Sequence, residues 1–158
     1  MKPVVLQDTR EQWPLQIAAF PVEVGTLPVG DYGLKGFSDW QNPGFVVERK
    51  TLDDLIQSLV FDDRSRFLRE IEKLRQFRFR GLLVEGHQQQ VATGDYRSKA
   101  TPESMTASLD ALSVRAGIHI FWCGDHDGAA RQLEGLVRQF VRGIEKDWKR
   151  LGGGADRC

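Results

Sequence analysis

The sequence brings acidic and basic side chains together at one short spacing. Glu48 and Lys50 are two residues apart and directly follow the apolar run 45–47. Because side chains on a strand alternate between its faces, Glu48 and Lys50 are expected on one face and Arg49 on the other. An acid that holds a metal ion and a lysine that orients or activates water are the groups that phosphodiester hydrolysis requires.

Other carboxylates stand where further strands are predicted to end. Asp8 and Glu11 follow the apolar run 3–6, and Asp31 lies in the segment 20–34, which is rich in β-branched residues. Ligand sites in α/β sheets are usually built at strand ends. Hard divalent cations such as Mg²⁺ prefer carboxylate oxygens. The sequence therefore predicts a divalent metal site formed where these strands meet.

Apolar runs and amphipathic stretches alternate along the chain. Strand-like runs are predicted at 3–6, within 20–34, and at 45–47, 81–86 and 118–123. Helical periodicity is predicted at 52–60, 67–74, 101–117 and 133–148. Residues 87–100 are predicted to form a polar loop. Strands separated by helices indicate an α/β domain with a mixed sheet at its centre.

The composition is that of one ordinary globular domain. The 158 residues are 41% hydrophobic and 28% charged, so the chain can form a core of its own. Two cysteines, Cys123 and Cys158, are too few for a disulfide framework and indicate a reducing compartment. The first residues lack a signal-peptide core, and no apolar run is long enough to span a membrane. A cytoplasmic protein that acts away from membranes is expected.

Charged side chains are unevenly distributed along the chain. Lys plus Arg number 22, as do Asp plus Glu, and this zero balance argues against a histone-like nucleic-acid binder. Residues 1–63 nevertheless contain five basic and ten acidic side chains, whereas residues 64–80 contain seven basic and two acidic. An acidic segment suited to metal ions is thus followed by a basic segment, which is either a solvated helix face or a surface for phosphate contacts.

The acidic residues together resemble the signature of a known nuclease family. Gly30-Asp31 is followed after sixteen residues by Glu48-Arg49-Lys50 and after three more by Asp54. This order is similar to the GD and ERK-x-x-x-D signature of the XPF-type structure-specific DNA endonucleases. Asp8-Thr9-Arg10-Glu11 resembles the acidic motif that ends the first strand in that family. The resemblance is specific over roughly residues 4–75.

The resemblance implies a single-domain, three-layer α/β/α fold of the restriction-endonuclease type. It also implies Mg²⁺- or Mn²⁺-dependent hydrolysis of branched, flap or junction DNA in repair or recombination. Asp31 and Glu48 would be the central metal ligands, and Asp8 and Glu11 would complete the acidic site or hold a second metal. Lys50 would serve the attacking water.

Supporting roles are implied for further residues. Arg10 and Arg49 would stabilise phosphate or hold the site together, and Asp54 would support it from the first turn of a helix. The basic segment directly follows the site, and the side chains expected to contact the DNA backbone are Arg66, Arg69, Lys73, Arg75, Arg78 and Arg80. DNA with a single-strand/double-strand junction is the implied partner. Whether a homodimer or a partner subunit is also needed stays open.

Residues 1–151 are expected to form the nuclease domain, and residues 152–158, which begin with three glycines, a flexible tail. Family members commonly add a tandem helix-hairpin-helix domain, which is not found here. The resemblance is therefore to a stand-alone domain of bacterial or phage type, or to a piece of a longer chain.

Two other functions remain open at this point. Some relatives have lost their acidic residues, so a non-catalytic branched-DNA-binding or scaffold module is the main alternative. Retention of Asp31, Glu48 and Lys50 favours the enzyme. A restriction-type or recombination nuclease with another substrate is the third possibility. The three histidines are too scattered for a zinc site.

Overall fold

A six-stranded mixed sheet forms the centre of the domain. The computed structural model describes residues 2–153, with only the backbone for Phe61 and Asp62. The strands are β1 (Val5–Asp8), β2 (Val22–Gly25), β3 (Tyr32–Leu34), β4 (Phe45–Thr51), β5 (Phe79–Glu85) and β6 (His119–Trp122). The helices are α1 (Leu52–Leu59), α2 (Phe61–Leu74), α3 (Gln88–Thr93), α4 (Pro102–Ala116) and α5 (His126–Arg150).

The direction of β3 decides where the acidic residues meet. The sheet order is β2-β1-β3-β4-β5-β6, and β3 is antiparallel to both of its neighbours, whereas the other strand pairs are parallel. The start of β3 therefore lies beside the end of β1 and the middle of β4, since Tyr32 pairs with Gln7 and Val47. Asp31 links the two strands: its carbonyl accepts from the Asp8 N–H at 2.8 Å, and its own N–H donates to the Val47 carbonyl at 2.9 Å.

Helices cover both faces of this sheet. Along β4, Phe45 and Val47 are buried in the cluster that contains the apolar face of α5, while Val46 is buried in the cluster that contains α1, α2 and α4. This alternation follows from the two-residue period of a strand. The result is the three-layer α/β/α arrangement with a mixed sheet, as expected from the sequence.

Capping residues start and stop α1 and α4 where the sequence predicts, whereas α2 and α5 begin six and seven residues before the predicted starts at 67 and 133. The Thr51 side chain accepts from the Asp54 N–H at 3.2 Å and begins α1 directly at the end of β4. The Thr101 side chain caps α4 in the same way, with Pro102 in the first turn. Gly117, at φ 63°, ends α4 in a left-handed conformation that glycine adopts without steric cost. The strand β4, which bears Glu48 and Lys50, is therefore fixed both by its pairing in the sheet and by the capped helix α1 that follows it.

The prediction of a loop at 87–100 is wrong for the first half of that segment. Residues 88–93 form α3, because the Gln90 side chain accepts from the His87 N–H at 2.8 Å and Val91 packs into the core. Three glutamines precede that single apolar residue, so no helical periodicity is visible in the sequence. The first strand also lies later than predicted, at 5–8 rather than 3–6.

The predicted tail lies largely beyond the structural description. Gly152 and Gly153 continue from α5 as a turn, with the Gly152 N–H donating to the Lys149 carbonyl at 3.1 Å. Residues 154–158 lie outside the described residues. Among the helices of residues 2–153, none combines the length and apolar character of a membrane span.

Candidate active site

Asp31 and Glu48 share a cleft of about 240 Å³ on the α2 side of the sheet. Asp31 immediately precedes β3, and its Oδ2 accepts from the Arg49 N–H at 2.8 Å, which ties the carboxylate to β4. Glu48 extends from β4 on the same face as Val46. The lining residues are Arg10, Pro28, Val29, Gly30, Asp31, Glu48, Glu70 and Lys73. The cleft thus combines paired carboxylates with two basic side chains.

The two carboxyls in this cleft destabilise each other as anions. Burial is the main cause that raises the pKa of Asp31 from 3.8 to about 6. Burial, followed by the negative charge of Asp31, holds the pKa of Glu48 well above its usual range. The ammonium of Lys50 opposes both increases without cancelling them. A proton or a metal cation relieves this repulsion, so the pair is poised to bind a positive charge.

Lys50 lies on the same face as Glu48, as the strand period predicts. Its Nζ is 5.1 Å from the centroid of the Phe67 ring on α2, a cation–π distance. This contact holds the ammonium over the helix layer that also contributes Glu70 and Lys73 to the cleft. Lys50 is therefore positioned by α2 and not only by its own strand.

Arg49 points to the opposite face and holds two acidic residues. Its Nη2 and Nε donate to Glu11 Oε1 and Oε2 at 2.6 and 3.0 Å, and its Nη1 donates to Glu85 Oε1 at 2.9 Å. His126 Nδ1 lies 2.6 Å from the same Glu85 oxygen. Burial opposes ionisation of Glu11, but the hydrogen bonds from Arg49 outweigh it and lower the pKa of that carboxyl. We call Glu11, Arg49, Glu85 and His126 the ion-pair cluster.

Asp8 forms a second pair with a basic residue. Its Oδ1 accepts from the Arg10 N–H and Nε at 2.9 and 2.6 Å, and its Oδ2 accepts from Arg10 Nη2 at 3.1 Å and the Leu27 N–H at 2.8 Å. Burial works against the charge, yet these donors lower the pKa of Asp8. The guanidinium that Asp8 holds lines the cleft. Asp8 therefore positions Arg10 toward Asp31 and Glu48.

The structure divides the predicted site residues into two groups. Asp31, Glu48 and Arg10 meet in the cleft. Both oxygens of Asp8 and of Glu11 accept from arginine donors, so the geometry favours a positioning role for them over the predicted metal ligation. Asp54 is not among the described residues that line the cleft. Its side chain is exposed in the first turn of α1.

The six basic residues predicted to contact DNA do not form one surface. Lys73 lines the cleft, and Arg66 and Arg69 are exposed on the same helix. Arg75 and Arg78 are exposed after that helix ends. Arg80 requires a correction, because its guanidinium donates to three backbone carbonyls, those of Gly117, Arg75 and Phe77. Arg80 therefore holds the start of β5 against neighbouring turns and is not available as a phosphate ligand.

Sequence reasoning missed three residues near the site. Glu85 ends β5 much as Asp8 ends β1, so its position at a strand end was a usable signal. Glu70 shares α2 with Lys73 three residues later, one helical turn along. His126 begins α5, and nothing in the spacing of the histidines indicates its contact with Glu85.

The carboxylates of the cleft can be compared with the ligands that a divalent cation requires. Within residues 2–153 no group of three or more Asp, Glu, His or Cys side chains is arranged to hold a metal ion. Mg²⁺, however, keeps several waters and commonly takes only one or two protein carboxylates together with substrate phosphate oxygens. Asp31 and Glu48 supply those two carboxylates, and a cation between them would offset the repulsion by which Asp31 raises the pKa of Glu48. The pair therefore fits such an ion.

Larger cavities lie elsewhere and lack this chemistry. One of about 390 Å³ between α3, α4 and β6 is lined by Val91, Leu109, Ile120 and Trp122 with a single carboxylate, Asp110. One of about 460 Å³ beside the start of α1 contains the exposed Asp53 and Asp95 together with Glu85, whose carboxylate is bonded to Arg49. The smaller cleft is the candidate site because two half-buried carboxylates, Asp31 and Glu48, line it together with Arg10 and Lys73.

This fold with paired carboxylates beside a lysine-bearing strand defines a nuclease domain of the restriction-endonuclease-like class. A family model described as the ERCC4 domain matches residues 7–136. The chain belongs to this family and contains an XPF-type nuclease domain.

The solved structures that are similar to this chain include two of XPF from Aeropyrum pernix. The one in complex with DNA is 26% identical with a TM-score of 0.68, and the match covers 90% of this chain and 66% of that one. The other is 27% identical with a TM-score of 0.67, and the match covers 86% of this chain and 60% of that one. The chain thus spans less than two thirds of either. No curated protein sequence matches it.

Gly30 sets the position of Asp31, and its replacement is expected to be costly. Its φ is +81°, and a Cβ would lie 2.5 Å from Val46 Cγ2 and 3.1 Å from the Val47 carbonyl oxygen. Gly30→Ala should lower the free energy of unfolding by about 2–4 kcal/mol through backbone strain and overpacking. Urea denaturation measures this change. Gly36→Ala is the matched control, because φ is +85° with open space around the Cβ. Equal costs for both variants would contradict the steric argument.

Proposed function

We propose that this chain is a divalent-metal-dependent endonuclease that hydrolyses phosphodiester bonds in branched, flap or junction DNA. The observation that supports this most is the shared cleft of Asp31 and Glu48, in which burial and mutual repulsion favour a bound cation. The family is one of structure-specific DNA endonucleases. A similar structure from Aeropyrum pernix is a complex with DNA, which supports DNA as the substrate.

Asp31 and Glu48 would hold Mg²⁺ or Mn²⁺, which when bound polarises the phosphate and lowers the pKa of water. Lys50, on the same face as Glu48, would orient the attacking water and stabilise negative charge on the phosphate oxygens. Arg10 reaches the cleft from the other side and would bind a phosphate oxygen. Asp8 keeps that guanidinium in place through its hydrogen bonds to Nε and Nη2.

The ion-pair cluster supports the site from the opposite face of β4. Arg49 is bonded to Glu11 and Glu85 through its side chain, and its backbone N–H donates to Asp31 Oδ2. The side-chain bonds fix the strand, and the strand in turn fixes the carboxylate. Arg49 is thus a positioning residue in this proposal. Its guanidinium does not reach the reacting phosphate, because both of its ends are occupied by carboxylates.

The proposed path of the DNA backbone follows α2 away from the cleft. Lys73 lines the cleft, and Arg69 and Arg66 are exposed one and two turns before it on the same helix. Phosphate contacts from such residues position the substrate without reading its sequence. Three of the arginines predicted to contact DNA extend the proposed surface less directly, because each lies near an acidic side chain: Arg66 near Asp63, Arg75 near Glu72 and Arg78 near Asp147.

The test is a cleavage assay on a panel of duplex, flap, forked and four-way-junction DNA in Mg²⁺, in Mn²⁺ and in EDTA. The chain should cut branched substrates in either metal, and EDTA should stop the reaction. Glu48→Gln should retain DNA binding and lose cleavage, whereas Glu72→Gln, an exposed change of the same type on α2, should cut normally. Tight branched-DNA binding without metal-dependent hydrolysis would indicate the scaffold alternative. Equal cutting of plain duplex would indicate a nuclease of another specificity.

Metal binding is expected to depend on pH through Asp31. A carboxyl must lose its proton before it coordinates a cation, and the pKa of Asp31 is raised to about 6. Mg²⁺ affinity should therefore be highest above pH 7 and should fall about tenfold per pH unit below about pH 6 for each carboxyl that releases a proton. Calorimetric titration at pH 5, 6 and 7.5 measures this dependence. An affinity that stays constant over that range would contradict protonation of the ligands.

We also propose that a second copy of the chain or a partner subunit takes part in the function, as the family resemblance implies. Light scattering of the chain with and without forked DNA measures the number of copies in the complex. A monomeric complex that cleaves at full rate would count against this part of the proposal.

A further inference from the structure

The loop after β1 presents an indole at the ion-pair cluster, across β4 from the candidate active site. Trp13 is 64% exposed although its side chain is large and largely apolar. Its ring stacks on the imidazole of His126, with centroids 5.0 Å apart and planes inclined by 29°. Its backbone N–H donates to Glu11 Oε1 at 3.2 Å. One face of the indole is thus supported, and the other is open to solvent.

The support behind this indole is rigid. His126 Nδ1 lies 2.6 Å from Glu85 Oε1, and Nε2 lies 3.0 Å from the Pro14 carbonyl oxygen, so each ring nitrogen lies within hydrogen-bond distance of an oxygen acceptor. Glu85 is itself bonded to Arg49. The imidazole is therefore fixed at both ends. Trp13 is fixed in turn through its stacking and its bond to Glu11, so little conformational entropy remains to be lost when a ligand stacks on it.

The charges around Trp13 favour a nucleobase over a phosphate group as the ligand. Glu11 and Glu85 lie directly behind the platform, and Asp125 and Asp127 flank His126 in the sequence. This acidic surround is unfavourable for a phosphate group. A nucleobase carries no charge and has a flat π-face that stacks on indole whatever its identity. A base that is unpaired and outside a duplex stack has such a face available.

We propose that Trp13, backed by His126, is a stacking platform for an unpaired nucleobase of the DNA substrate. This rests on the proposed function, because the base would bind across β4 from the phosphate that Asp31 and Glu48 would address. The connection runs through β4: the Trp13 backbone N–H binds Glu11, Glu11 binds the Arg49 side chain, and the Arg49 backbone N–H binds Asp31. The platform thereby selects DNA that offers a single-stranded base across β4 from the cleavage site.

Trp13→Ala tests the platform by DNA binding, with Ca²⁺ in place of Mg²⁺ so that cleavage does not interfere. Fluorescence anisotropy should show affinity for a labelled forked DNA weakened about 5- to 100-fold, the usual loss for one stacked base. Affinity for a blunt duplex should change less than twofold. Trp13→Phe should keep most of the affinity. An abasic sugar at the stacked position should weaken the complex of the unchanged protein but not that of Trp13→Ala.

Trp148→Ala is the matched control. Trp148 is 63% exposed, but it lies on α5 twenty-two residues after His126, roughly 33 Å along the helix axis. Equal loss for the two alanine variants, or equal loss on fork and duplex, would overturn the platform. Unchanged forked-DNA binding by Trp13→Ala would also overturn it, while metal-dependent cleavage by the unchanged protein would leave the proposed function intact. Absence of any DNA binding by the unchanged protein would overturn both.

Discussion

Replacement of Asp31 by asparagine is expected to abolish cleavage and, at the same time, to stabilise the metal-free protein. The loss of activity follows because Asp31 would supply one of two carboxylates to the cation, and we expect a decrease of about a thousandfold or more. The gain in stability follows because the carboxylate is buried beside Glu48. Burial raises its pKa from 3.8 to about 6, which corresponds to a penalty of about 1–3 kcal/mol at neutral pH. Asparagine removes the charge and keeps an oxygen acceptor for the Arg49 N–H.

The sign of the pH dependence separates this effect from a general change in packing. The folded chain binds the Asp31 proton more tightly than the unfolded chain does, so its stability falls as pH rises from about 4 to above 6. The contribution that Asp31→Asn removes is therefore absent at low pH and complete above about pH 7. Urea denaturation in EDTA at pH 4, 5.5 and 7.5 should show the variant and the unchanged protein diverging as pH rises.

Two further measurements make this expectation specific. Glu72→Gln changes an exposed carboxylate on α2 and should alter stability by less than about 0.5 kcal/mol at every pH. Saturating Mg²⁺ should raise the melting temperature of the unchanged protein and have little effect on Asp31→Asn. A variant that is less stable than the unchanged protein at pH 7.5, or that cleaves within tenfold of it, would contradict the role given to Asp31.

The order of strands and helices near the site was predictable because it is encoded locally. The apolar run 45–47, the alternation into Glu48 and Lys50, and the Thr51 cap all operate over a few residues of chain. The contact of Asp31 with β4 was suggested by the family resemblance and not by the periodicity of the apolar residues. Only the sheet order shows why it occurs, since β3 runs antiparallel between β1 and β4.

The partners of the charged residues were not predictable in the same way. Arg49 meets Glu11 across 38 positions of sequence, and Glu85 meets His126 across 41. No local sequence pattern indicates contacts between residues so far apart in the chain, because these contacts depend on how the strands and α5 pack. The same reason explains Arg80, whose charge suggested a phosphate ligand although its neighbours in space are three backbone carbonyls. Net charge by segment located the acidic site but could not tell a ligand from an ion-pair partner.

Replacement of Arg49 by methionine is expected to be among the most destabilising single changes in the domain. The side chain is 10% exposed, and its removal leaves Glu11 and Glu85, which are 4% and 9% exposed, without their shared cation. Breaking a buried pair in this way costs about 3–5 kcal/mol, because the remaining charges are desolvated and uncompensated. Chemical denaturation at neutral pH measures the loss. Cleavage should fall as well, since β4 positions both Glu48 and the N–H that binds Asp31.

Burial, and not distance, is the cause of this cost, and a second ion pair tests that statement. Lys35 contacts Glu23 at 2.8 Å, about as close as the Arg49 bonds, but the two side chains are 61% and 50% exposed. Lys35→Met should therefore cost no more than about 1 kcal/mol. Adding Glu11→Gln and Glu85→Gln to Arg49→Met should restore part of the lost stability, because the uncompensated charges are then removed. If Arg49→Met costs no more than Lys35→Met, or if the added changes destabilise it further, the ion-pair cluster does not anchor β4 as the geometry indicates.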